Sequence, residues 1–162
     1  MSLPSIGQRV LADFALYALR FKVIEAAKIV SWADELIANS ESPAPLMIDL
    51  SLVDNSDPHS ILVLLRQVPG EPNLEESLDL LNGLVLREWR NGRLTIGGVR
   101  GIGWVLYMDN VERPDSSKWG VVVECKGEEM DDGYLSEAHM RDLIDHELAR
   151  FEPELRRLPH WA

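Results

Sequence analysis

Cysteine is almost absent: Cys125 is the only one in 162 residues. No intrachain disulfide can form, which excludes the disulfide-stapled secreted class and fits a reducing cytosol. Basic side chains are also scarce, with 16 Lys and Arg against 27 Asp and Glu and a net charge of −11. Nothing resembles a basic stripe, so nucleic acid and anionic membrane are disfavoured as partners. The first thirty residues, with four basic and two acidic side chains, show only a slight opposite bias. Apolar runs such as Phe14–Leu19 fall far short of the roughly 20 residues that span a bilayer. Met1–Ser5 lacks a basic region leading into an apolar core, so no secretory leader is read there. These absences predict a soluble cytoplasmic protein.

Catalytic signatures are missing too. No serine sits in a Gly-x-Ser-x-Gly elbow. Cys125, between Glu124 and Lys126, has no histidine assigned to it by sequence and reads as structural. The cluster Gly97-Gly98-Val99-Arg100-Gly101-Ile102-Gly103 lacks the Gly-Lys-Ser/Thr of a phosphate loop and the glycine spacing of a dinucleotide fingerprint. Tight packing is the better reading; on a helix, Gly97 and Gly101 would share a face and admit another backbone. No cofactor is called for, and an enzyme is the less favoured class.

What is present is helical periodicity. A hydrophobic content of 46% with 27% charged residues suits a globular core, and the length suits one domain spanning residues 1–162. Val10, Leu11, Phe14, Ala15 and Ala18 recur at helical spacing, with a bend expected over Leu19–Val23. Ala26, Ile29, Val30, Ala33 and Ile37 form a second stripe, which a loop over Asn39–Pro45 ends. Leu46–Val53 predicts a short helix. Asp57-Pro58 looks like an N-cap followed by proline at the first helical position, starting a helix through Ile61 and Leu65. Asn73 with Glu76 is a capping-box-like start to a helix striped by Leu74, Leu78, Leu81 and Val85. Ser136 caps a last helix carrying Met140, Leu143, Ile144, Leu148 and Phe151, with Pro153 bending or ending it.

Residues 84–126 admit two readings. Asn91-Gly92 ends a helix through a left-handed residue, or turns a hairpin. In the second case Arg93–Ile96, Trp104–Met108 and Trp119–Cys125 become strands of a small antiparallel meander, which Val121-Val122-Val123 favours. The leading fold class is all-α, a multi-helical single domain; the alternative is α+β with that meander.

Two polar sets merit attention. His139, Asp142 and His146 fall at i, i+3 and i+7 on the last helix and could in principle hold a metal. The spacing is no known zinc signature, and a polar helix flank is the better reading, so no metal site is assigned. Glu147 falls near the middle of the apolar stripe, where snorkelling or a pairing with arginine is expected. Neither Asp54–His59 nor Glu128–Gly133 meets the calcium-loop pattern. Of the five tryptophans, Trp161 is penultimate and is expected to dock on its own domain.

The strongest positive feature is uneven acid. Asp109–Glu147 holds twelve Asp and Glu and four Lys and Arg, so these 39 residues carry −8 of the total −11. Its start, Asp109–Asp115, reads as loop and its tail as the wet face of the last helix. Glu128, Glu129, Asp131 and Asp132 are therefore where a basic protein partner is expected. Trp32-Ala-Asp-Glu-Leu-Ile37 and Ile48-Asp-Leu-Ser-Leu52 resemble a helical phrase of small uncharacterised bacterial proteins. The resemblance covers about the first third of the chain, implies a bacterial, mostly helical protein, and carries over no functional residue. The functional expectation is an acidic protein-binding domain, with an immunity or antitoxin-like inhibitor as one concrete form and a metal-dependent protein using His139, Asp142 and His146 as the alternative.

Overall fold

A computed structural model describes residues 6–110 and 115–162. The leader reading at Met1–Ser5 and most of the loop expected over 109–115 lie outside the described residues. Within them the chain forms α1 (Gln8–Arg20), α2 (Ala26–Ala38), α3 (Pro45–Ser51), α4 (Pro58–Leu65), α5 (Leu74–Arg90), α6 (Ile96–Asp109), α7 (Lys118–Asp131), α8 (Glu137–Ala149) and a 3-10 turn at Glu152–Arg156. No strand occurs among the described residues. The fold is all-α, and the meander alternative is not adopted. The three valines explain why: in α7, Val123 is buried, Val121 half-buried and Val122 exposed, three directions of one helix rather than two faces of a strand.

Two compact units arise: residues through Ser77 together with Pro159–Ala162, and Leu78–Leu158. In the first unit, α1 buries Val10, Ala12, Phe14, Ala15, Ala18 and Leu19, a broader face than its stripe predicts. Lys22 at φ 57° supplies the expected bend, with the Val23 N–H donating to the Ala18 carbonyl at 2.9 Å. In α2 the buried set is Ile29, Trp32 and Ala33, which corrects the expected stripe: Val30 and Ile37 are half-buried. Asp57 caps α4, accepting from the Ser60 hydroxyl at 2.5 Å and the Ser60 N–H at 3.1 Å. Those bonds hold its carboxyl below the ordinary carboxylate value. Arg9 pairs with Asp13 and donates to the Arg66 and Val68 carbonyls, both at 2.9 Å, so it satisfies the end of α4. The basic bias of the first thirty residues is thus partly spent inside the fold.

In the second unit, α5 departs from its predicted single stripe. Every residue from Leu78 through Leu86 except Asp79 is buried, including Leu80, Leu84 and Leu86. A helix apolar all round belongs in an interior. Gly92, at φ 70°, ends it: its N–H donates to the Trp89 carbonyl and that of Arg93 to Glu88. Thr95 then accepts from the Gly98 N–H at 3.1 Å and starts α6. The Asn91-Gly92 signal is therefore a helix stop, and the glycine cluster lies within α6.

Helices α6 and α7 cross backbone to backbone. A Cβ added at Gly120 would lie 1.9 Å from the Gly103 carbonyl oxygen. The expectation of close approach in the cluster holds at Gly103, but not at Gly97 and Gly101, where an added Cβ meets nothing within 4 Å. In a helix, at about 100° per residue, Gly103 points about 160° away from Gly101 and about 120° away from Gly97, so one direction alone meets α7.

Candidate acidic interface at the end of α7

The acidic region is positioned by how α7 is anchored at its start. Trp119 is fully buried, and its indole Nε1 donates to Asn82 Oδ1 at 3.1 Å. Asn82, itself fully buried, donates to the Ser116 carbonyl at 2.7 Å, and the Ser116 hydroxyl donates to Asp79 at 2.8 Å. This network ties the entry of α7 to α5. Asn82→Ala would leave the indole N–H and the carbonyl without partners, and should cost about 2 kcal/mol in urea denaturation.

One turn beyond the glycine crossing, Arg100 reaches from α6 across α7. Its Nε and Nη2 donate to Glu124 at 3.0 and 3.1 Å, and its Nη1 to both oxygens of Asp131 at 2.9 and 3.1 Å. Gly127 leaves the space: a Cβ there would sit 2.2 Å from the Arg100 Nε. The bonds to Glu124, then to Asp131, push the guanidinium pKa above its ordinary value against the opposing effect of burial. Arg100 therefore stays charged and fixed.

The four acids singled out in sequence are brought together but differ in state. Glu129 accepts from Lys126 Nζ at 2.6 Å, and Asp131 is held by Arg100. Glu128 and Asp132 are exposed and make no ion pair with a described residue. Gly133, at φ 81°, ends the helix beneath them, and the Tyr134 side chain stands 85% exposed beside it.

On α8, His139, Asp142 and His146 are all exposed. His139 Nδ1 lies 2.7 Å from the hydroxyl of its capping residue Ser136. Among the described residues, no three His, Cys, Asp or Glu side chains are grouped to hold a metal, so these three are not gathered into a ligand set. Glu147 is half-buried and has no hydrogen bond or ion pair to a described residue, which fits the first of the two expectations, snorkelling, and not the second, a pairing with arginine. In the turn before α4, Asp54 accepts from the Ser56 N–H at 2.8 Å and Asp57 caps the helix, so both carboxylates are occupied by backbone. Cys125 is exposed rather than structural.

Sequence reasoning missed a buried acid. Glu88 is 4% exposed and takes Arg87 and Arg93, each at 2.9 Å. The signal was its place beside the Gly92 stop, where the turn returns Arg93 toward α5. An open hollow of about 650 Å³ is lined by Ala149, Arg150, Glu152, Pro153, Leu155 and Arg156, without a convergent acid–base pair. No helix among the described residues is long and apolar enough to cross a membrane. No family model, no curated protein and no solved structure matches the chain.

Proposed function

We propose that the chain is a protein-binding domain without catalytic chemistry, and that the C-terminal end of α7 receives a basic partner. The observation that carries this reading is charge placed against the helix field. Glu128, Glu129 and Asp131 occupy the last turn of α7 and Asp132 its C-cap, while no last-turn residue is basic. Backbone carbonyls already make that end negative, so each exposed acid there costs about 0.3–1 kcal/mol. Arg100 and Lys126 relieve two of the four; Glu128 and Asp132 keep their charge toward solvent. Breaking a local rule without internal compensation is expected where function asks for it. A cationic surface docked here would remove the conflict, and complementary charge would speed encounter. An immunity or antitoxin-like inhibitor, covering the basic site of a toxin or nuclease, is the concrete form. The bacterial resemblance of Trp32–Ile37 and Ile48–Leu52, and a cytoplasmic setting for Cys125, suit it.

The test is Glu128→Lys combined with Asp132→Lys. The double variant should melt about 2–6 °C higher, because cations now complement the dipole. Its capture of partners from the source cell at low salt should fall at least tenfold. Retention of the wild-type partners by this variant, or wild-type capture that is unchanged at 1 M salt (about a 3 Å screening length), would sink the reading.

A further inference from the structure

Four of the five tryptophans are buried, but Trp104 is 42% exposed, and Met108, one turn on, is 53% exposed. Gly101 and Gly97 lie three and seven residues before Trp104, so all four share one outward stripe of α6. The stripe carries no charge, in a chain of net −11. Of the two charged residues of α6, Arg100 is turned away over Gly127 toward Glu124 and Asp131, and Asp109 lies about 100° round the helix from Met108. Among the described residues, nothing packs against the two glycines. Gly101 costs the helix interior about 0.5–1 kcal/mol relative to alanine and Gly97 stands in the first turn, yet an added Cβ would meet open space at both.

We propose that this stripe is a two-fold interface between two copies of the chain. The spacing selects a second copy over an unrelated partner. In an antiparallel pair of α6 helices, a two-fold axis at the level between Ile102 and Gly103 sets Trp104 opposite Gly101 of the second copy. The same operation sets Met108 opposite Gly97 of the second copy. Two large side chains thereby meet two hollows from each side, the self-complementarity that an isologous contact requires. Charge supports the choice: two chains of −11 repel through any shared acidic face, and none of the four residues of this stripe is acidic. The area sets the strength. A 14-residue helix is about 21 Å long, and half its circumference offers roughly 400 Å² per copy. That is about half the area of a standard interface, so association should be weak and concentration-dependent. The surface is separate from the acidic end of α7, and the two proposals stand or fall independently.

Sedimentation velocity from about 5 µM to about 1 mM, spanning the range of weak association, tests it. The wild-type mass should rise from 18.3 kDa toward twice that value. Gly101→Glu fills a hollow in open space with a better helix former, so it should stay folded by circular dichroism and remain at 18.3 kDa throughout. Trp104→Glu should do the same, while Glu128→Lys with Asp132→Lys should dimerise like the wild type or better, since it carries less net charge. A wild-type chain that stays at 18.3 kDa across the range, or a dimer that neither Gly101→Glu nor Trp104→Glu disperses, overturns the proposal.

Discussion

Gly120→Ala should lower stability by about 3 kcal/mol or more, at or beyond the top of the usual range for overpacking. The added methyl would sit 1.9 Å from the Gly103 carbonyl oxygen and 2.3 Å from its carbon. Those are backbone atoms, which cannot rotate aside as a flexible side chain can. Relief requires α6 and α7 to move apart, and that separation loosens the packing of Trp119, whose ring closes the same crossing 2.7 Å from a Cβ at Gly103. The identical change elsewhere in α6 should act in the opposite direction. Gly97→Ala and Gly101→Ala meet open space, so Gly101→Ala should gain about 0.5–1 kcal/mol from helix propensity and a less flexible unfolded chain, and Gly97→Ala, in the first turn of α6, a smaller amount of the same sign. Urea denaturation of the three variants reads the contrast directly. A Gly120→Ala protein within 0.5 kcal/mol of wild type (about the scatter of ordinary surface substitutions) would mean that the helices do not cross at these glycines.

That contrast also marks how far the sequence could be read. Asp57, Asn73 and Ser136 announce their helices because a cap acts over three residues, and each is seen accepting from the N–H expected of it: Ser60, Glu76 and His139. The all-α class follows from periodicity for the same local reason. Which glycine admits a neighbouring helix is different. Gly97, Gly101 and Gly103 differ only in rotation about one axis, and the position of α7 decides among them. Trp32, Asn82 and Glu88 escaped for a related reason, since their partners lie 129, 37 and 5 residues away and only folding joins them. The acidic block was plain as composition, but its internal neutralisation was not. Arg100 pairs with acids 24 and 31 residues distant, and helix spacing alone cannot foresee that.

Trp161→Ala should cost about 3–5 kcal/mol, the range for removing a large buried aromatic side chain. Trp161 is 4% exposed. Its rings lie 5.1 Å from those of Trp32 at 22°, and 5.8 Å from Phe14 at 55°. Phe14 is the largest fully buried side chain of α1, so the cavity left behind would open onto the centre of the first unit. Stacked and tilted aromatic pairs add about 0.5–1.5 kcal/mol each beyond area burial, which places the loss toward the upper end. Trp161→Phe should recover part of it by keeping a ring against Trp32. The neighbouring His160 provides the control: its Nε2 lies 2.8 Å from Glu35 Oε2, but both side chains are exposed. An exposed pair of that kind contributes at most about 1 kcal/mol, so His160→Ala should shift the urea midpoint little at pH 7. If His160→Ala costs as much as Trp161→Ala, charge rather than aromatic packing holds the C-terminal residues in place, and the stacking argument fails.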